Sequence, residues 1–166
     1  MNDEGFSQLK HLNIKTCDEM ESIIGSTIWS HHDHAFPNLE SLIIQNMMKL
    51  ERICSDPLPA QAFAKLQVIK VKNCDLMESV FLHSMVQHLT ELVEIEISEC
   101  RYMNYIIAKQ IQENEGEDDK IALPKMRSLT LESLPSLVSL SPESCNKDSE
   151  NNNDFSSQLL NDKVQT

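Results

Sequence analysis

Glycine is scarce in this chain: only Gly5, Gly25 and Gly116 occur among 166 residues. Phosphate-cradling loops and tight two-residue hairpins both draw on glycine, so nucleotide loops and hairpin-rich β folds are disfavoured. Aromatic residues make up 5% of the sequence against 40% apolar residues in all, so a core has to be filled by Leu, Ile, Val and Met. Basic side chains are few as well, 14 against 26 acidic ones, for a formal net charge of −12. A surface of that sign repels phosphate backbones and anionic lipid, which argues against nucleic acid and membrane as partners. No apolar run approaches the roughly 18 residues of a membrane span. The five cysteines (Cys17, Cys54, Cys74, Cys100 and Cys145) are odd in number and form no CxxC pair. The opening Met1-Asn2-Asp3-Glu4-Gly5 is polar and acidic, unlike a secretory or transit peptide. These absences together describe a soluble, reduced, cytoplasmic chain, and its length fits one domain.

What the chain does contain is a repeat. One frame of seven apolar positions, spaced 3-3-2-3-3-3, recurs five times. The first copy is Phe6, Leu9, Leu12, Ile14, Cys17, Met20, Ile23, and the second is Phe36, Leu39, Leu42, Ile44, Met47, Leu50, Ile53. The third is Phe63, Leu66, Ile69, Val71, Cys74, Met77, Val80, and the fourth is Leu89, Leu92, Ile95, Ile97, Cys100, Met103, Ile106. The fifth is Leu123, Met126, Leu129, Leu131, Leu134, Leu137, Leu140. Filling every slot by chance has a probability on the order of 10⁻¹⁴ at this apolar content, before allowing for the choice of frame. Copies begin 30, 27, 26 and 34 residues apart. That period and pattern are those of a leucine-rich repeat, with two copies lengthened by insertions.

The spacing has a mechanical meaning. Two apolar residues two apart, such as Leu12 and Ile14, point to the same face of a short strand. The apolar residues three apart that follow cannot share one face of a strand, and they suit a return of turns or loose 3₁₀ structure. Stacked copies then align their strands in parallel over one continuous core. The expected fold is an α/β repeat solenoid: a leucine-rich repeat arc with a five-strand parallel concave sheet and irregular or 3₁₀ returns on the convex side. No copy stands alone. About seven buried side chains supply roughly 1.5–3 kcal/mol each, against about 1–2 kcal/mol of backbone entropy for every ordered residue.

The expected layout is a lead-in at 1–5, the repeat domain at 6–140 with repeats starting near 6, 36, 63, 89 and 123, and a disordered polar tail at 141–166. The run Glu113-Asn114-Glu115-Gly116-Glu117-Asp118-Asp119 is too charged to bury and reads as a mobile loop between the last two repeats. His31, His32, Asp33 and His34 have metal-ligand composition, but no second cluster stands at zinc spacing, and adjacent loop histidines are usually solvated. Cys17, Cys74 and Cys100 share one slot, filled elsewhere by Met47 and Leu134, and read as small buried fillers rather than ligands. Acidic pairs abound without a base or nucleophile beside them, so no catalysis, metal or cofactor is expected. Trp29 suits either an interface anchor or a cover for the edge of the second repeat.

The openings Phe36-Pro-Asn-Leu39 and Leu123-Pro-Lys-Met126 and the returns Cys17-Asp-Glu-Met20-Glu-Ser-Ile23 carry a particular accent. Together they resemble the carboxy-terminal leucine-rich repeats of plant intracellular coiled-coil, nucleotide-binding disease-resistance receptors, over residues 6–140. The resemblance implies recognition of pathogen-derived or host guard proteins, and contact with the remaining receptor modules. No GxxxxGK[ST] loop or signalling coiled coil is present, so it implies the recognition part of a receptor without its nucleotide switch. A rival reading is a substrate adaptor of a ubiquitin ligase, but those returns usually form amphipathic helices and no F-box-like segment is seen here. An extracellular receptor is disfavoured by the missing signal peptide.

The outward strand positions are the candidate partner-binding surface: His11, Asn13, Lys15; Ser41, Ile43, Gln45; Val68, Lys70, Lys72; Glu94, Glu96, Ser98; and Ser128, Thr130, Glu132. In register, Lys70 falls beside Glu96 at about 4.8 Å strand to strand. The register itself is testable. Leu42→Ala should cost about 2–5 kcal/mol through the cavity it leaves, whereas Ser41→Ala, one residue away and outward, should stay within about 0.5 kcal/mol. Similar denaturant midpoints for the two variants would refute the register.

Overall fold

The computed structural model describes residues 6–25, 36–54, 62–109 and 122–142. The lead-in 1–5, Trp29, the His31–His34 cluster, the acidic run 113–119 and the tail from residue 143 lie outside the described residues. Five strands carry the two-apart apolar pairs: β1 (His11–Lys15), β3 (Ser41–Gln45), β5 (Val68–Lys72), β7 (Glu94–Ser98) and β9 (Ser128–Glu132). They form one parallel sheet in the order β1-β3-β5-β7-β9. Equivalent positions face each other all the way across, as in Leu12–Leu42–Ile69–Ile95–Leu129. Pairing runs one residue past the strands at both ends. Before them, Glu40, Gln67, Val93 and Arg127 donate their backbone N–H to Lys10, Glu40, Gln67 and Val93. After them, Thr16, Asn46, Asn73 and Glu99 donate to Gln45, Lys72, Ser98 and Glu132.

The spacing of three has a specific structural cause. In every repeat the opening apolar pair closes a tight turn, with Leu9, Leu39, Leu66, Leu92 and Met126 donating back to Phe6, Phe36, Phe63, Leu89 and Leu123. The turn after the strand repeats the device in the first, second, third and fifth copies: Met20, Leu50, Met77 and Leu137 donate to Cys17, Met47, Cys74 and Leu134. Such a turn brings residues i and i+3 to the same side, so both reach the core.

The returns are more regular than the spacing suggests. Beside the expected turns they hold short strands: β2 (Ser22–Ile24) pairs in parallel with β4 (Arg52–Cys54), and β6 (Phe81–Leu82) with β8 (Ile107–Ala108). A single bridge, Tyr105 to Ser139, carries the second ribbon to the fifth repeat. One helical turn, α1 (His83–Val86), follows β6 and buries Met85 and Val86. The backbone of a return therefore finds partners in the next return, as buried peptide groups require.

The core lies between sheet and returns and runs through all five repeats. Leu39, Ile44, Met47 and Leu50 are wholly buried, as are Ile69, Val71, Cys74 and Met77 in the next copy. The openings add an aromatic column: Phe6 tilts against Phe36 at 5.4 Å, and Phe36 stacks on Phe63 at 5.8 Å with ring planes 13° apart. In the first and fifth copies the same slots are only partly covered, including Leu12, Ile14, Leu129 and Leu131.

The residue after each long strand has left-handed backbone, with φ of 57° at Thr16, 55° at Asn46, 52° at Asn73, 56° at Glu99 and 53° at Ser133. Glycine would take this conformation freely, yet none stands there. Asparagine tolerates it and β-branched residues resist it. At Asn46 and Asn73 the amides also pair, Asn73 Nδ2 donating to Asn46 Oδ1 at 2.9 Å. Thr16 is the poorest fit in the row. Thr16→Asn should therefore raise the thermal midpoint, by about 0.5–1 kcal/mol in stability. A drop in the midpoint on making Thr16→Asn would show that the left-handed turn is not what limits that corner.

Candidate recognition surface

The sheet face turned away from the core is built from the alternate strand positions. Parallel register sorts its side chains into three rows: His11, Ser41, Val68, Glu94, Ser128; then Asn13, Ile43, Lys70, Glu96, Thr130; then Lys15, Gln45, Lys72, Ser98, Glu132. All fifteen sequence-selected residues are thus brought onto one face. His11, Asn13, Lys15, Lys72 and Glu132 are exposed, and nine others are half-buried. Ser98 departs from expectation, being buried to 7% exposure. Its short side chain lies in the row between the longer Lys72 and Glu132, which can cover it.

Charge on the face is organised around Lys70. Its ammonium lies 2.7 Å from Glu96 Oε2 on the neighbouring strand and 2.9 Å from Glu94 Oε1. The Glu96 pair follows from register; the Glu94 pair is diagonal, and the spacing did not foretell it. The hydrogen bonds to Glu96 and then Glu94 hold the Lys70 ammonium above its ordinary pKa, against a smaller opposing effect of burial. Lys72 reaches Glu99, a residue of the left-handed row, at 3.2 Å. That row was not among the expected surface residues. Its sequence signal was the asparagine at positions 46 and 73, where left-handed backbone is least costly.

The cysteine slot serves the strand ends. Cys74 Sγ donates to the carbonyl of Lys72 at 3.4 Å, Cys100 Sγ to that of Ser98 at 3.3 Å, and Cys17 Sγ to that of Lys15 at 3.7 Å. Cys74 and Cys100 are wholly buried, whereas Cys17 is half-buried at the first repeat. Contact with Cys100 and burial push the Cys74 thiol up, so it is held as the neutral donor. Among the described residues no group of three or more His, Cys, Asp or Glu side chains could hold a metal ion. No helix among them is long and apolar enough to cross a membrane.

The family model for plant disease resistance protein RPS2-like leucine-rich repeats matches residues 1–101 and again 47–161. The chain belongs to this family. The two matches overlap over 47–101, as a self-similar stack allows by offering the same pattern in more than one frame. No curated protein and no solved structure matches the chain. The five-strand parallel sheet is accordingly the sheet of a leucine-rich repeat module of the plant resistance-protein type.

Lys70 offers a test of the face's electrostatics. A lysine whose pKa is raised by folding contributes stability that is whole below its unfolded pKa, and loses it as the pH climbs through the folded value. The side chain is about one-third exposed, so solvent screening limits its share at neutral pH to about 1 kcal/mol or less. Lys70→Gln should therefore cost little at neutral pH and flatten the loss of stability in strongly alkaline solution. Denaturant melts at the two pH values check this; an identical alkaline loss in variant and wild type would remove Lys70 from the account.

Proposed function

We propose that the repeats form a curved solenoid whose outward sheet face is the concave side, and that this face binds a protein. The partner is a pathogen-derived protein or a host protein under guard, as the resistance-protein family suggests. The observation that carries the reading is the outward face itself: five short strands, in unbroken register, presenting rows of unlike side chains over one continuous core. A face whose backbone is fixed by pairing can vary its outward side chains without disturbing the fold, which suits a surface that must discriminate between partners. Folding the five strands together gives a strip only about 20 Å across, at roughly 4.8 Å per strand. A high-affinity interface needs about 800 Å² per partner, so the strip serves best as part of a longer recognition surface shared with other receptor modules. The thiols Cys17, Cys74 and Cys100, none of them in a disulfide, suit a reducing compartment and support a cytoplasmic setting.

Pathogen-secreted and host proteins screened against the chain should yield partners that distinguish it from a variant carrying Lys70→Glu and Lys72→Glu. Both lysines stand on the outward face, so the reversal should change association rate or partner choice, while the melting temperature moves only slightly. Loss of the fold in that variant would make the lysines structural. Partners that bind it and the wild type alike, and are equally indifferent to reversal of Glu94 and Glu96, would sink the sheet-face reading.

A further inference from the structure

The two ends of the face differ in charge, and the difference points to what a partner must carry. At the first-repeat end, Lys15 is exposed without an ion pair among the described residues, and no carboxylate stands on the outward positions of β1 or β3. At the other end, β7 and β9 contribute Glu94, Glu96 and Glu132 and no cation. From β5, Lys70 reaches two of these carboxylates. It engages one oxygen of each, Glu94 Oε1 and Glu96 Oε2, leaving the second oxygen of both without a described partner. Across from them on β9 stand only Ser128 and Thr130, in register with Glu94 and Glu96. These side chains are short and uncharged, so they neither neutralise the carboxylates nor fill the space above β9. Glu132, beside Ser98, is exposed and has no ion pair among the described residues.

Resting on the sheet-face reading above, we infer that the partner lays a cationic segment, with arginine favoured over lysine, across β7 and β9. A guanidinium presents a planar fork of donors that matches the unused oxygens of Glu94 and Glu96, and the hydroxyls of Ser128 and Thr130 accept what the carboxylates do not. Ile43 and Val68, half-buried and diagonal to each other in the adjoining rows, supply apolar contact for the rest of the segment. An acidic segment in the same place meets three carboxylates with one shared ammonium to offset them. Opposite charges across the face therefore act as a filter on partner sign as well as a source of on-rate.

The experiment uses the isotope-labelled full chain, titrated with a short arginine-rich peptide and, separately, with an acidic peptide of the same length, while backbone amide signals are followed. The arginine peptide should shift amides of β7 and β9 saturably and lose that effect in high salt. Glu96→Gln combined with Glu132→Gln should weaken it roughly tenfold, the size expected for lost charge-assisted hydrogen bonds. Lys70→Ala should do the reverse and tighten the peptide, because it removes the competing cation; a purely structural Lys70 would weaken or leave binding unchanged. Melting curves of each variant confirm that the fold persists. Shifts spread over the whole acidic surface, or unaltered by the Glu96 and Glu132 changes, overturn the inference. An acidic peptide seated on the sheet face overturns it too while leaving the sheet-face reading intact, and the partner screen decides that reading separately.

Discussion

Burial in the described repeats is completed by the repeats on either side. Leu42 and Ile44 in the second copy are 1% and 0% exposed, whereas Leu12 and Ile14, in the same slots of the first copy, are only half-covered. Side-chain chemistry is nearly the same in the two pairs; what differs is a neighbour on both sides against a neighbour on one. Cohesion is thus a property of junctions, and a junction is set by parallel register, which aligns equivalent slots from β1 to β9. The ion pairs follow the same geometry. Lys10 with Glu40, Lys49 with Glu19, Lys72 with Glu99 and Lys125 with Glu91 each join one repeat to the next. Their exposure keeps them weak individually, but they commit four of the eleven lysines to junctions, while β7 and β9 carry no cation and leave that end of the face acidic.

Much of this was legible in the sequence because one slot carries one role. The two-apart pairs gave the strands, and their alternation gave the outward rows, Lys70 beside Glu96 included. The slots spaced by three announced inward side chains, and the structure supplies the reason, turns closed between residues i and i+3. Other features left little trace. Strands of two or three residues, such as Phe81–Leu82 and Ile107–Ala108, are too short to show alternation, and their pairing is decided by the neighbouring return. The left-handed row is visible at Asn46 and Asn73 but hidden at Thr16, Glu99 and Ser133, residues with no intrinsic taste for it. There the tertiary ladder imposes the conformation, and local sequence preference yields.

The candidate surface was legible in membership and less so in detail. Register assigns a residue to a face, but side-chain reach decides which neighbours it meets. Lys70 is long enough to touch Glu94 diagonally as well as Glu96 directly, and Lys72 reaches Glu99, one residue beyond its register partner Ser98. Ser98 is buried for the complementary reason, being shorter than what surrounds it. The pattern of the family, matched twice along the chain, fixes the architecture; these differences in reach are what individualise the face.

The unequal lengths of the copies have a further consequence. From one copy to the next the chain travels 30, 27, 26 or 34 residues, yet each step advances the sheet by one strand with no slip in pairing. Contour length and axial pitch are therefore independent. The difference falls between the seventh slot of one copy and the first of the next, so residues can be added or deleted there as a gear train tolerates longer shafts between wheels of fixed teeth. A lineage of such chains could lengthen or trim these joints while every outward side chain on the sheet kept its register, and the joints and the face could then evolve under separate rules.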